Sequence, residues 1–315
     1  MIKEKYGKVI KGLGGLFTVR VECEGCEFEL YSARAKGILH KDEAKLLVGD
    51  GVCLTIDEDT PDGIVISSIT ERKNELIRPP MSNLDYLFIT LAAKKPTPML
   101  EVVDKLCAIA VHNGITPVII ITKEDLSPSL ATEYADIYRR AGIETFVTSS
   151  ESGEGTGEVR RFVYSHLKDG KTGAFAGASG VGKSTLMNAL FASLSLSTSE
   201  ISRKIERGRH TTRHVELFTV KEADDDTRVG FIADTPGFSL VDFARFDFFD
   251  IEDLPAAFPD ILPYAEGCTY ADCSHVGEGI SECAVARAAA EGKIAPSRLE
   301  SYRSVWRTLK NKAQY

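Results

Sequence analysis

Eight residues constrain this chain more than any others: Gly177-Ala178-Ser179-Gly180-Val181-Gly182-Lys183-Ser184. A short apolar run at 173–176 precedes them, and a helix-forming stretch begins at Lys183. A strand, a glycine-rich turn and a helix in that order make the phosphate-binding loop of an α/β domain. The glycines let backbone N–H groups turn inward around phosphate oxygens, and the helix N-terminus adds a favourable dipole. Lys183 then reaches the terminal phosphates and the Ser184 hydroxyl binds Mg²⁺, with Thr185 completing the binding segment. A chance glycine turn would match the string but not its flanks. The motif asks for a nucleoside triphosphate without saying which base.

The base reader is expected upstream. Thr122-Lys123-Glu124-Asp125 ends a continuous apolar run, Pro117-Val118-Ile119-Ile120-Ile121. An aspartate there accepts hydrogen bonds from N1–H and the 2-amino group of guanine. Adenine lacks both donors, so a buried carboxylate selects guanine. Lys123 is expected to cover the base plane, and Thr122 supplies a side-chain hydrogen bonder where asparagine is commoner. About 25 residues on, Val147-Thr148-Ser149-Ser150-Glu151 is similar to the S-A-K motif whose backbone reads the guanine oxygen. Ser149 and Ser150 align with it, and Glu151 departs from its lysine. A P-loop kinase or transport ATPase would have no use for this upstream pair.

The metal and switch motifs follow the phosphate loop. Asp234-Thr235-Pro236-Gly237 ends an apolar run at 229–233. Asp234 is expected to hold Mg²⁺, and Gly237 to offer its N–H to the γ-phosphate. Between the two lies Gly208-Arg209-His210-Thr211-Thr212-Arg213. Either Thr211 or Thr212 completes the Mg²⁺ shell; the sequence does not choose. Position 238, where many GTPases place a water-orienting glutamine, holds Phe238. Phenylalanine cannot hydrogen-bond to water, so hydrolysis must draw a polar group from elsewhere. His210 is the candidate within the chain, and a residue from a partner is its rival. The motif order is therefore base, base, phosphate, switch, switch, a permutation of the usual order.

Cys268-x₄-Cys273-x-His275-x₇-Cys283 offers three thiols and an imidazole, a tetrahedral Zn²⁺ set with no open position. Nothing at the N-terminus reads as a signal peptide and no apolar run approaches a membrane span, so a cytoplasmic protein without membrane contact is expected. In that compartment clustered cysteines are metal ligands before they are disulfides. Cys23 and Cys26 have no second pair and are read as ordinary strand or turn residues.

Residues 1–72 carry short apolar runs broken by Gly, Asp and Pro, the pattern of a small five-stranded barrel. Such barrels often bind oligonucleotides. Residues 73–240 alternate strands and helices in the manner of a parallel α/β sheet. Residues 241–315 are Phe/Asp-rich, then cysteine-bearing, then helical. The net charge is −8, which excludes a uniformly basic coat. From Arg287 onward, however, seven Lys or Arg face two acidic residues. RNA contacts are expected on the barrel and this tail.

Together, the barrel, the segment Glu71-Arg72-Lys73-Asn74-Glu75-Leu76-Ile77-Arg78-Pro79-Pro80 leading to Asn83 and Asp85, the permuted motifs and the Cys/Cys/His/Cys set resemble the ribosome small-subunit-dependent GTPase A family, the YjeQ-type circularly permuted GTPases. The resemblance covers nearly the whole chain. It implies a multidomain protein with an OB-fold barrel, a permuted P-loop GTPase domain and a zinc-binding helical domain. It also implies hydrolysis of GTP to GDP, with Mg²⁺ and one structural Zn²⁺. The implied partners are the small ribosomal subunit and its rRNA, which stimulate hydrolysis during late maturation. A monomer is expected. The family spaces its His and last Cys by five residues rather than seven. The rival reading is a GTP-gated binding switch with negligible hydrolysis of its own.

Overall fold

The computed structural model describes residues 2–23, 26–36, 45–60, 63–191, 215–222, 225–234, 243 and 245–312. They fall into two compact units. The first comprises Met1–Asp85, Phe162–Phe175 and Phe191–Gly237, and the second Tyr86–Arg161, Ala176–Leu190 and Phe238–Tyr315.

The first unit opens with five strands: β1 Ile2–Leu13, β2 Leu16–Cys23, β3 Cys26–Ala35, β4 Gly51–Asp57 and β5 Ile64–Ile69. β1 pairs antiparallel with both β2 and β4, β2 with β3, and β4 with β5. The parallel β3–β5 pair completes the circuit. This is the closed OB-fold order, which leaves no open edge in the ring. Its interior is Val9, Val19, Val21, Val52, Leu54 and Ile66, contributed by alternate positions along the strands. β1 runs seven residues ahead of the apolar pair Val9-Ile10, because exposed and charged residues such as Lys3 and Glu4 still pair through their backbones with β4. Cys23 ends β2, a strand residue as expected, and is also disulfide-bonded. A two-residue hairpin follows, β6 Glu75–Leu76 with β7 Met81–Ser82.

The second unit begins with β8 Tyr86–Ala92, α1 Leu100–His112, β9 Thr116–Thr122, α2 Pro128–Arg140 and β10 Glu144–Val147. β8 and β10 flank β9 in parallel register. β9 is the strand with the continuous apolar run, and its last five residues are buried, as a central parallel strand requires. α3 Thr156–His166 is a helix the sequence reading does not anticipate. Its signal is there nonetheless: Val159, Val163 and Leu167 recur at the helical interval and are all buried.

β11 Thr172–Ala176 leads into the phosphate loop and α4 Lys183–Phe191. β12 Glu216–Glu222 and β13 Asp225–Asp234 form an antiparallel hairpin, and β13 lies parallel to β11. Among the described residues no strand follows β13. The chain continues through α5 Leu254–Ala257, α6 Leu262–Ala265, α7 Ala284–Ala290 and α8 Pro296–Lys312.

One cation of the basic tail is not at the surface. Arg298 on α8 is 1% exposed. Its guanidinium donates to Asp104 Oδ1 on α1 at 2.9 Å and to both oxygens of Asp260 at 2.6 and 3.1 Å. Ser301 Oγ donates to the other Asp104 oxygen at 2.6 Å. Arg298 therefore cements the helices of this unit and is unavailable to RNA, contrary to the expectation drawn from charge alone. No helix among the described residues is long and apolar enough to cross a membrane.

Candidate functional site: a phosphate loop, base-reading loops and a Cys₃His cluster

Gly177 through Ser184 link β11 to α4 as the spacing predicts. Gly177 has φ +136°, and a Cβ on it would lie 2.1 Å from the Thr90 carbonyl oxygen, so only glycine fits. Gly180 and Gly182 also have positive φ. The Lys183 ammonium donates to the carbonyls of Gly177 at 2.6 Å and Ala178 at 2.8 Å, and so lies along the glycine-rich loop. Burial lowers its pKa below the usual lysine value. Ser184 and Thr185 are exposed at the start of α4.

The base-reading segments pack against this loop. Thr122, buried at the end of β9, hydrogen-bonds to the Val181 carbonyl oxygen. Lys123 adopts φ +56°, and its ammonium donates to the carbonyls of Lys95 at 2.5 Å and Gly180 at 2.6 Å. Lys95 belongs to no motif of the sequence. Its loop follows β8 and meets Lys123 only through folding, so no local pattern marks it. Asp125 sits in a one-turn 3₁₀ segment, Glu124–Leu126. It is exposed, not buried as expected. Ser149 Oγ donates to Asp125 Oδ1 at 2.5 Å. The same Ser149 oxygen accepts from the N–H groups of Glu151 at 3.2 Å and Ser152 at 3.3 Å. Ser149 thus shapes its own loop and orients the aspartate, while Ser150 is exposed. Glu151 contributes its backbone N–H to this loop.

His210, Thr211, Thr212, Gly237 and Phe238 lie outside the described residues. So does the Asp234 side chain, whose backbone ends β13 in register with Glu216.

The C-terminal cluster is compact. The ligand atoms of Cys268, Cys273, His275 and Cys283 all lie within 4.8 Å of one another. The three sulfurs are 3.6, 3.3 and 3.4 Å from His275 Nδ1. A tetrahedral zinc with Zn–S about 2.3 Å and Zn–N about 2.0 Å puts sulfur and nitrogen about 3.5 Å apart, so the set matches zinc in chemistry and size. Cys283 is the N-cap of α7, and its sulfur accepts from the Ala286 N–H at 3.3 Å. Arg303 on α8 donates to the His275 carbonyl oxygen at 2.8 Å.

The seven-residue spacing has a structural answer. The Glu278 carboxylate accepts from the N–H groups of Ser274, Val276 and Gly277 at 3.1, 3.0 and 3.2 Å. Burial would raise its pKa, but these bonds hold it at about 2. The longer segment is therefore folded around one carboxylate, and Cys283 still reaches the cluster.

Strand, glycine loop and helix, a guanine-type Asp motif ahead of them and a closed barrel at the N-terminus define a circularly permuted P-loop GTPase. Comparison with known proteins gives the particular family. Residues 69–244 match the RsgA GTPase family and residues 6–65 the RsgA N-terminal domain. The chain is 38% identical to the small ribosomal subunit biogenesis GTPase RsgA of Agathobacter rectalis, over 98% of this chain and 99% of that one. It is likewise 38% identical to the Bacillus subtilis protein of the same name, over 94% of each. Two solved structures share the fold. One is YloQ, described as a circularly permuted GTPase, with TM-score 0.75, 30% identity and coverage of 98% of this chain and 96% of that one. The other is YjeQ from Thermotoga maritima, with TM-score 0.77, 29% identity and coverage of 98% and 99%. The chain belongs to the RsgA GTPase family and is a GTPase.

Proposed function

We propose that this chain hydrolyses GTP while bound to the small ribosomal subunit, assists its late maturation and leaves after hydrolysis. The observation that carries this is the joined phosphate and guanine-reading loops in a chain similar throughout its length to proteins named for small-subunit biogenesis. In this reading residues 1–72 bind rRNA, residues 73–240 bind and hydrolyse GTP, and residues 241–315 form the zinc-bearing end. The protein works as a cytoplasmic monomer.

The residues divide the work. Asp125, oriented by Ser149, accepts from the guanine edge, and Lys123 and Thr122 tie that loop to the phosphate loop. Backbone N–H groups from Gly177 to Gly182 and the Lys183 ammonium hold the phosphates. Mg²⁺, held by Ser184 and Asp234 with Thr211 or Thr212, would neutralise charge developing on the β- and γ-phosphates. Gly237 senses the γ-phosphate. Since Phe238 cannot orient water, His210 is assigned that role, with the ribosomal partner ordering its loop.

Sedimentation of subunits with the chain in GDP and in a non-hydrolysable GTP analogue is expected to recover the protein with the analogue and lose it with GDP. Turnover is expected to rise when small subunits are added. Replacing His210 by alanine should lower that stimulated rate at least about tenfold, as loss of a proton-handling or water-orienting group does. Absence of any stimulation would favour instead a GTP-gated binding switch with negligible hydrolysis, a reading that Phe238 supports.

For zinc, atomic emission on freshly purified protein is expected to find one equivalent. Cys283→Ala should lose it and lower the melting temperature, because structural zinc contributes directly to folding. Metal-free wild-type protein would remove zinc from this proposal.

A further inference from the structure

β1 takes part in two pairings. From Ile2 to Lys8 it pairs with β4 and closes the barrel. Beyond the irregularity between Val9 and Lys11, Lys11 pairs with Glu216 on β12. Their side chains form an ion pair at 3.1 Å. The β12–β13 hairpin runs between the two motifs that sense the γ-phosphate: residues 208–212 precede it, and Asp234 ends it. The barrel therefore holds the segment of chain that joins the two switch motifs.

The hold centres on Phe231, three residues before Asp234 and 3% exposed. The Lys8 ammonium lies 4.7 Å from its ring centroid and the Arg20 guanidinium 5.7 Å. Both cations are also anchored. Lys8 donates to the Gly170 carbonyl at 2.6 Å and the Thr172 hydroxyl at 3.1 Å. Arg20, 3% exposed, donates to the Thr219 hydroxyl on β12 at 2.8 Å. It also lies 3.9 Å from the Phe28 ring centroid on β3, which ties it to the barrel. Cations over an aromatic face are attracted most where water is excluded. Burial also lowers the Lys8 pKa to about 8. On the opposite face of β13 from the Phe231 side chain, Gly230 leaves no slack: a Cβ there would stand 1.5 Å from the Leu167 carbonyl oxygen. Packed segments of this kind move between discrete arrangements as units, not by gradual deformation.

We propose that Lys8, Arg20 and Phe231 form a clasp through which the nucleotide state of the switch segments is transmitted to the barrel. A shift of the β12–β13 hairpin carries Phe231 with it, and the two cations draw β1 and β2 along. The use of this coupling for releasing RNA rests on the function proposed above, but the coupling itself requires only nucleotide binding.

The test is hydrogen exchange on the full chain with Mg²⁺, loaded with GDP or with a non-hydrolysable GTP analogue. Amides of residues 8–13 and 16–21 are expected to differ in exchange rate by at least about fivefold between the two states. In Phe231→Leu and, separately, Lys8→Met, the difference should fall below about twofold with nucleotide affinity unchanged. The second variant guards against the first failing to fold. A purely structural clasp would speed exchange equally in both states and preserve the ratio, which overturns the proposal. So does wild-type protein that binds both nucleotides with identical exchange in β1 and β2. A chain that binds neither nucleotide overturns the proposed function together with the coupling.

Discussion

Asp125→Asn is expected to lose GTP affinity by about two orders of magnitude or more and to gain affinity for xanthosine triphosphate. The guanine edge offers two donors, and a hydrogen bond to a charged acceptor contributes about 1.5–3 kcal/mol. Asparagine keeps one neutral acceptor but sets a donor against the 2-amino group, a combined cost of about 3 kcal/mol or more, and each 1.4 kcal/mol is tenfold in affinity. The asparagine amide presents a donor where the carboxylate accepts, which suits the 2-oxo group of xanthine. Exposure of Asp125 does not weaken this expectation. Ser149 already fixes one of its oxygens, and a bound base would exclude water from the other. Competition titrations with a fluorescent guanine nucleotide measure both affinities. A variant that still prefers GTP to xanthosine triphosphate would show that Asp125 does not read the base. Ser149→Ala, which removes only the orienting bond, should cost no more than about tenfold.

The second large effect concerns a residue with no part in nucleotide chemistry. Arg298→Ala is expected to destabilise the protein by about 3–5 kcal/mol, because it leaves Asp104 and Asp260 without their cation in a dry site. Thermal melting should fall by roughly 10 °C for a unit of this size. The sign of the pH dependence is diagnostic. Burial already pushes the Asp104 carboxyl up against the opposing pull of Arg298. Without the arginine, the folded carboxyl is raised well above its unfolded value, so the folded state binds the extra proton. Stability of the variant is then recovered toward acid pH and lost as pH rises. Melts at about pH 5.5 and about pH 8 should therefore show a smaller deficit at the lower value. An equal deficit at both would mean that cavity formation, not stranded charge, dominates. Replacing the buried group as a whole by apolar residues of similar volume should restore much of the loss.

The barrel, the phosphate loop and the parallel strands could be read from the chain because each has a local cause. Glycines at 177, 180 and 182 are needed where φ is positive. The apolar run in β9 is needed where a strand is buried on both faces. The Cys₃His cluster was legible because metal ligands come from a few residue types at short separations. The two extra residues before Cys283 were visible too. The means of accommodating them was not, because it is a backbone turn folded on the Glu278 carboxylate.

Other features were illegible for a definite reason. Arg298 counted as one more charge in a basic tail, yet its partner Asp104 stands 194 positions away. No pattern along a chain encodes such a pairing; it arises when two helices pack and a buried charge must be neutralised. Nothing local in the chain marks Lys8 and Arg20 either; only the placing of Phe231 on β13 beneath them gives them a shared aromatic partner. Asp125 looked like a buried carboxylate and is exposed. By itself the sequence determined the chemistry available: which loop can bind phosphate, which aspartate can read a base and which thiols can share a metal. Only the tertiary structure decided which charges are spent on holding the protein together, because that depends on burial and on distances between segments remote in the chain.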